Sequence, residues 1–171
     1  MSAYRDRRRC ALLGVLVAGV LAVSTAWADA TKVDFGLFEV LSPLDDSGLV
    51  AQAPEDGVLL LQFWASWCHS CGALMWDLDE LVSGNAQVSY LAVSLDDDAE
   101  AADRYVARLP VAERHPGSYF LDGDKRLAGS LGVESVPSIL LVTPEGEVLV
   151  HKTGHLNSTD LQAFVQAFPS P

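Results

Sequence analysis

The residues of this sequence best suited to chemistry are Cys68 and Cys71, which stand three apart in the stretch QFWASWCHSCG. Such a C-x-x-C pair can bind a metal, close a structural disulfide or exchange electrons with other thiols. A bridge across so short a loop restricts the unfolded chain very little. Zinc needs two more ligands, and the remaining histidines outside the motif are scattered: His115, His151 and His155. We therefore predict electron exchange and no metal site.

The N-terminal region has the pattern of an export signal. Four arginines within residues 5–9 precede an apolar run from Ala11 to Val23, and Ala26-Trp27-Ala28 follows. A basic region, a short apolar region and an A-x-A site together predict a secretory signal peptide at residues 1–28, cut after Ala28. We expect a periplasmic or other extracytoplasmic location, with anchoring by an uncleaved signal as the alternative.

Removal of the signal makes the net charge more negative and leaves fewer cysteines. Four basic residues and one acidic residue leave with it, so the formal net charge moves from −12 to −15. Cys10 leaves as well, so Cys68 and Cys71 remain as the two thiols. The acidity argues against partners such as nucleic acid and anionic membranes. We expect a soluble monomer in a compartment where disulfides persist.

Apolar runs and turn residues predict one α/β domain at residues 58–171 after a lead-in at residues 29–57. The run VLLLQFW at residues 58–64 predicts a buried central strand. Alternating strands and helices predict a parallel portion of the sheet, and a closing hairpin adds an antiparallel portion. The other predicted strands lie at 88–95, 118–121, 138–143 and 147–151, with a short one within 33–41, and the predicted helices lie at 71–82, 99–109, 125–131 and 158–168.

The position of the cysteines between a buried strand and a helix start predicts a role for each. Free backbone N–H groups and the helix dipole stabilise a thiolate at Cys68, which makes it the nucleophile. Cys71, one turn further and partly buried, can attack a mixed disulfide at Cys68. The Cys68–Cys71 disulfide is then the redox group, and we predict no other cofactor. His69 and Ser70 tune the pair, since a protonated His69 favours the Cys68 thiolate; an exposed, indifferent His69 is the alternative.

We expect structural roles for three other features near the motif or after the next strand. Trp64 is expected in the core and Trp67 at the rim of the active site. The acidic run at residues 96–98 predicts a solvated turn, with Asp97 or Asp98 as the N-cap of the following helix.

Two motifs carry a family resemblance. The W-C-x-x-C motif after FWA resembles the thioredoxin fold, and the loop GVESVPS at residues 132–138 resembles that family's loop around a cis proline. The resemblance implies that Val136 and Pro137 face the cysteines and dock an extended substrate segment. It also implies a central mixed sheet flanked by helices. The helix predicted at 99–109 lengthens the middle of the domain, and together with export it resembles the TlpA/ResA/DsbE-like branch.

This sequence departs from the family at three positions. Gln62 stands where thioredoxin has a buried aspartate that helps move the proton of the second cysteine. Leu74 stands where the TlpA-like branch commonly has a glutamate, and Trp76 where many relatives have a helix-kinking proline. Gln62 cannot titrate, so the proton-handling role of that aspartate is vacant here or passes to water or to another residue.

The resemblance implies an exported thiol-disulfide oxidoreductase that reduces selected periplasmic protein disulfides, for example in cytochrome c maturation. In that branch a membrane protein supplies the electrons. A disulfide oxidase or isomerase is one alternative. A binding or copper-delivery module on the same scaffold is another.

Overall fold

The computed structural model describes residues 32–44, 48–83, 85–110, 115, 117–154, 156, 159–160 and 166. Within these residues, six strands form one mixed sheet in the order β1-β4-β3-β2-β5-β6. The strands are β1 (Ser42–Pro43), β2 (Val58–Trp64), β3 (Val88–Ser94), β4 (Tyr119–Leu121), β5 (Ser138–Val142) and β6 (Val148–Thr153). The helices are α1 (Cys71–Val82), α2 (Ala99–Val106) and α3 (Arg126–Ser130).

The sheet has the parallel and antiparallel portions that the sequence predicts. β2 and β4 pair with β3 in parallel, whereas β5 pairs with β2 and β6 in the antiparallel sense. β2 therefore lies at the centre, and every residue of it is buried. A central strand covered on both faces needs a nearly continuous apolar run, which VLLLQFW supplies apart from Gln62.

Successive residues of β2 contribute to cores on opposite faces of the sheet, as the two-residue period of a strand requires. Leu59, Leu61 and Phe63 pack on the face that also buries Leu127 of α3. Leu60 and Trp64 pack on the face covered by α1. The same face carries Gln62, so one polar side chain lies between two apolar ones beneath α1.

Most predicted elements are confirmed within a few residues, and α2 lies between β3 and β4 as expected. The strand predicted within residues 33–41 is wrong, because a 3₁₀ helix forms at Phe35–Val40. Its cause is local: the Asp34 side chain accepts a 2.9 Å hydrogen bond from the Gly36 N–H, which starts a helical turn. The predicted signal at 1–28 lies outside the described residues, as does nearly all of the helix predicted at 158–168.

The described part of the lead-in packs into the main core. Val33, Phe38 and Leu41 are buried in the cluster beneath α3, and β1 pairs with β4 at the edge of the sheet. Within the described ranges, no helix is both long and apolar enough to span a membrane.

Candidate active site

Cys68 and Cys71 form a disulfide at the point where β2 leads into α1, with their Cα atoms 5.5 Å apart. The Cys68 N–H donates to the Ala65 carbonyl at 3.0 Å, which closes the turn after β2. Cys71 begins α1. Cys68 is 6% exposed and Cys71 is fully buried, so an incoming sulfur atom can reach Cys68 more easily. The roles of Cys68 as nucleophile and Cys71 as resolving cysteine stay predictions.

The residues between the cysteines are exposed. Ser70 is the N-cap of α1, but its side chain makes no capping hydrogen bond. Its hydroxyl instead lies 3.9 Å from the Cys68 sulfur. The hydroxyl and the positive end of the helix dipole both lie where they can stabilise a Cys68 thiolate. His69 faces solvent beside them, and its predicted tuning role stays a prediction.

A buried carboxylate holds the loop that leads to Cys68. Asp96 accepts a 2.8 Å hydrogen bond from the Ser66 N–H and a 2.7 Å bond from the Ser66 hydroxyl. The hydroxyl of Ser94 donates to the same carboxylate at 2.7 Å. Lys125 donates to the Asp96 carbonyl at 2.9 Å and to the Asp97 carboxylate at 3.0 Å. The turns after β2, β3 and β4 are thereby joined at the active-site edge of the sheet.

The solvated turn predicted for residues 96–98 is therefore wrong for Asp96, which is 4% exposed. Sequence reasoning missed it because three consecutive aspartates suggest solvent on all sides. The available signal was topological: β2 and β3 are parallel neighbours, so the residues after each strand meet at one edge. Asp98 is the N-cap of α2, as predicted, and accepts a hydrogen bond from the Glu100 N–H.

The aromatic residues Trp64 and Tyr105 pack in or against the cluster that contains both cysteines. Trp64 is buried and stacks on Tyr105 of α2 with ring centroids 5.2 Å apart, which confirms its place in the core. Tyr105 also lies against Gly72 in the first turn of α1. Trp67 is 64% exposed, which agrees with its expected place at the rim, and Trp76 on α1 is 40% exposed.

The Val136–Pro137 peptide bond is cis, as the resemblance implies. Val136 packs against the cluster that contains both cysteines. The Pro137 carbonyl accepts a 2.7 Å hydrogen bond from the Gly154 N–H, and the Ser138 hydroxyl contacts that of Thr153 at 3.0 Å. These contacts fix the loop to the β5–β6 hairpin. The role of Val136 and Pro137 in docking a substrate segment stays a prediction.

Gln62 lies fully buried beneath α1, and its carbonyl oxygen accepts a 2.6 Å hydrogen bond from the Tyr90 hydroxyl. Burial, with smaller contributions from Tyr119 and Asp79, raises the pKa of Tyr90 well above its ordinary value. Burial is also the main cause that raises the pKa of Tyr119. Both phenols are therefore neutral, so neither Gln62 nor the Tyr90 hydroxyl bonded to it carries a charge.

Asp79 and His115 form a second polar contact that the sequence did not reveal. Asp79 is 2% exposed, and His115 Nε2 lies 2.7 Å from its carboxylate. The Ser83 hydroxyl donates to the same carboxylate at 3.2 Å. The signal was helical spacing, since Cys71, Met75 and Asp79 stand four residues apart on the buried side of α1. His151 lies exposed on β6, and His155 lies outside the described residues.

Within the described ranges, no group of three or more histidine, cysteine, aspartate or glutamate side chains is arranged to hold a metal ion.

Comparison with known proteins identifies the family. A thioredoxin-like family model matches residues 56–148, which is more than half of the chain. The chain belongs to the thioredoxin-like family. The match spans the fold from the start of β2 to the start of β6 and includes both cysteines and the cis proline.

Characterised relatives share most of the chain. The thiol-disulfide oxidoreductase ResA of Oceanobacillus iheyensis is 25% identical over 168 residues, covering 92% of this chain and 85% of the relative. The thiol:disulfide interchange protein DsbE of Vibrio cholerae is 27% identical, covering 86% and 84%. The solved structure of DsbF from Mycobacterium tuberculosis superposes with a TM-score of 0.62 at 23% identity, covering 74% of this chain and 92% of that protein. These similarities confirm the ResA/DsbE-like resemblance and the thioredoxin fold.

Proposed function

We propose that this chain reduces selected disulfides in extracytoplasmic proteins through the Cys68–Cys71 dithiol, and that maturation of c-type cytochromes is one setting for this activity. The coarser class, a thiol-disulfide oxidoreductase, is confirmed by relatives of that name that cover most of the chain. The reducing direction and the setting are supported by the resemblance to the TlpA/ResA/DsbE-like branch. The export signal that the sequence predicts at 1–28 supports the compartment.

The observation that carries the proposal is the unequal burial of two bonded cysteines at a helix start. A structural bridge would gain little from closing so short a loop. A redox pair, in contrast, needs one sulfur that a partner can reach and one that stays protected until the mixed disulfide forms. Cys68 beside the exposed Trp67 and the Val136–Pro137 loop meets the first need, and the fully buried Cys71 meets the second.

The electrons and protons balance over two exchange steps. The Cys68 thiolate attacks a client disulfide, forms a mixed disulfide and releases one client sulfur as a thiolate. The Cys71 thiolate then attacks the Cys68 sulfur, the bond from Cys68 to the client breaks, and the second client sulfur leaves as a thiolate. Two electrons pass to the client, the client thiolates take up protons from water, and the Cys68–Cys71 disulfide remains.

A reductant must then reopen the disulfide for another cycle. The proposed donor is a membrane dithiol protein that brings electrons from the cytoplasm, as the resemblance implies. We also propose that the mature chain acts as a monomer, with the surface around Trp67 and Val136 shared in turn by donor and client.

The test is a trapping experiment with matched cysteine variants. Cys71→Ser removes the resolving sulfur, so covalent mixed disulfides with client proteins should accumulate in cells and should disappear on reduction. Cys68→Ser removes the nucleophile and serves as the control, with no such adducts expected. Failure of Cys71→Ser to trap any protein, together with a stoichiometric copper ion on the reduced wild type, would favour the copper-delivery alternative and contradict the proposal.

A further inference from the structure

Gln62 faces the part of α1 that begins at the resolving cysteine. Leu60, Gln62 and Trp64 alternate along β2 and share one face of the sheet. Trp64 packs in the cluster that contains Cys71, and Leu60 packs in the cluster that contains Leu78. Gln62 lies between them, so its side chain is directed beneath the first two turns of α1.

Tyr90 determines which end of the Gln62 carboxamide faces away from β3. Its hydroxyl donates to the Gln62 carbonyl oxygen at 2.6 Å. Because burial keeps this phenol protonated, the hydroxyl is a reliable donor and the carbonyl end stays at Tyr90. The amide nitrogen must therefore point elsewhere beneath α1.

That amide nitrogen is a buried donor with no hydrogen-bond partner among the described residues. Buried polar groups in folded proteins nearly always have a partner, and an exception calls for an explanation. Among the described residues, the titratable groups that face this region are Tyr90 on β3, Tyr119 on β4, Asp79 on α1 and His115, whose ring lies against that of Tyr90. The Asp79 carboxylate accepts from Ser83 and contacts His115 Nε2. None of these contacts uses the amide nitrogen.

The disulfide is the feature of this region that changes during the reaction. In the oxidised protein the Cys71 sulfur is bonded to Cys68 and is a weak acceptor. When the disulfide opens, Cys71 must become a thiolate while fully buried among Trp64, Met75 and Tyr119. A buried anion needs a hydrogen-bond donor. The Trp64 indole N–H and the Tyr119 hydroxyl are, like the Gln62 amide, buried without a partner among the described residues.

We propose that Gln62, oriented by Tyr90, is a catalytic residue whose free N–H donates to the Cys71 sulfur when the disulfide opens and stabilises the attacking thiolate. This inference rests on the proposed function, since it describes the second exchange step. The Cys71 proton passes to water before the attack, because a carboxamide does not accept it. The thiolate then forms the bond to Cys68, and the client sulfur leaves with the electron pair of the broken bond.

A carboxamide in this place differs physically from a carboxylate. A carboxylate can accept the Cys71 proton, but while it is ionised its negative charge opposes the formation of a thiolate nearby. A carboxamide stabilises the thiolate without adding a charge. Position 62 therefore assists the thiolate in this chain without a titration of its own.

The test separates the two exchange steps with the aromatic disulfide dithionitrobenzoate. The reduced protein releases one coloured thiolate when Cys68 attacks and a second when Cys71 resolves the adduct. Gln62→Met keeps the size of the side chain and removes the donor, so the second phase should slow on the order of tenfold, the effect of one hydrogen bond to a charged group. The first phase should be unchanged, and the pH midpoint of the second phase should rise.

Two further variants test which buried group donates to the Cys71 thiolate. Tyr90→Phe frees the carboxamide to turn and should slow the second phase by a smaller factor in the same direction. Tyr119→Phe removes a neighbouring buried hydroxyl that has no partner among the described residues, and it should leave both phases unchanged.

The results that would overturn this inference differ from the result that would contradict the proposed function. A normal second phase in Gln62→Met would overturn this inference, and so would a loss confined to Tyr119→Phe, which would assign the donor to that phenol. A wild-type protein that released no coloured thiolate at all would instead contradict the proposed function. Thermal unfolding of each oxidised variant checks that the fold is kept.

Discussion

Asp96 holds both polar groups of Ser66, which stands thirty residues earlier in the chain and two residues before Cys68. The backbone N–H of Ser66 donates to one oxygen of the carboxylate and the hydroxyl donates to the other, at 2.8 and 2.7 Å. A carboxylate with both oxygens engaged fixes the position and the direction of the segment it binds. The turn that presents Cys68 is therefore anchored to the end of β3.

The anchor predicts a large loss of stability on its removal. Asp96→Ala leaves the Ser66 N–H and the Ser94 hydroxyl buried without their acceptor, so we expect the free energy of unfolding to fall by about 3 kcal/mol. Urea unfolding of the oxidised protein measures this fall in the free energy of unfolding. Asp97→Ala is the matched control, because that side chain is 98% exposed and should be nearly neutral. Equal losses in the two variants would show that the Ser66 contacts carry no stability.

The buried tyrosines predict a loss of stability at alkaline pH. The pKa values of Tyr90 and Tyr119 are raised in the folded protein. In the unfolded chain both tyrosines have a pKa of about 10. Above that pH the unfolded chain gives up protons that the folded protein keeps, so stability falls as pH rises. Each tyrosine contributes a slope of up to about 1.4 kcal/mol per pH unit.

The slope is measured by urea unfolding at a series of alkaline pH values. Tyr119→Phe removes one of the two groups and should make the slope shallower by about one tyrosine's share. If the variant and the wild type lose stability with the same slope, Tyr119 ionises as readily when folded as when unfolded.

Ser70 predicts a modest effect on the first exchange step. Its hydroxyl lies 3.9 Å from the Cys68 sulfur and can turn to donate to the thiolate. Ser70→Ala should therefore slow the attack of Cys68 on dithionitrobenzoate by roughly two- to fivefold near neutral pH. Ser89→Ala, an exposed position at the opposite end of β3, is the control and should react like the wild type. An unchanged rate in Ser70→Ala would mean that the helix terminus acts without this hydroxyl.

The sequence predicts the parts of this fold that depend on local patterns. VLLLQFW indicates a buried central strand because few other settings accept so many apolar residues in a row. The W-C-x-x-C and GVESVPS motifs place Cys68, Cys71 and Pro137 by resemblance, and the structure contains the disulfide and the cis peptide bond that it implies. The disulfide and the cis bond follow from the resemblance that these two motifs carry.

The remaining parts depend on contacts between distant residues. The hydrogen bonds from Ser66 to Asp96 become evident only when β2 and β3 are placed side by side. The charge of Asp96 and its place in the chain both suggest an exposed turn. The sequence shows Gln62 as a departure from the family, but the Tyr90 hydroxyl that orients it comes from another strand. The contact of His115 with Asp79 likewise joins residues 36 positions apart. No periodic pattern encodes such pairs.

The reduction potential of the Cys68–Cys71 disulfide tests the central claim most directly. Equilibration of the purified protein with mixtures of reduced and oxidised glutathione, followed by quantification of both forms, gives this value. A reductase should have a potential nearer to that of thioredoxin, about −270 mV, than to that of the oxidant DsbA, about −120 mV. A potential close to that of DsbA would contradict the proposed direction of electron flow and would favour a disulfide oxidase.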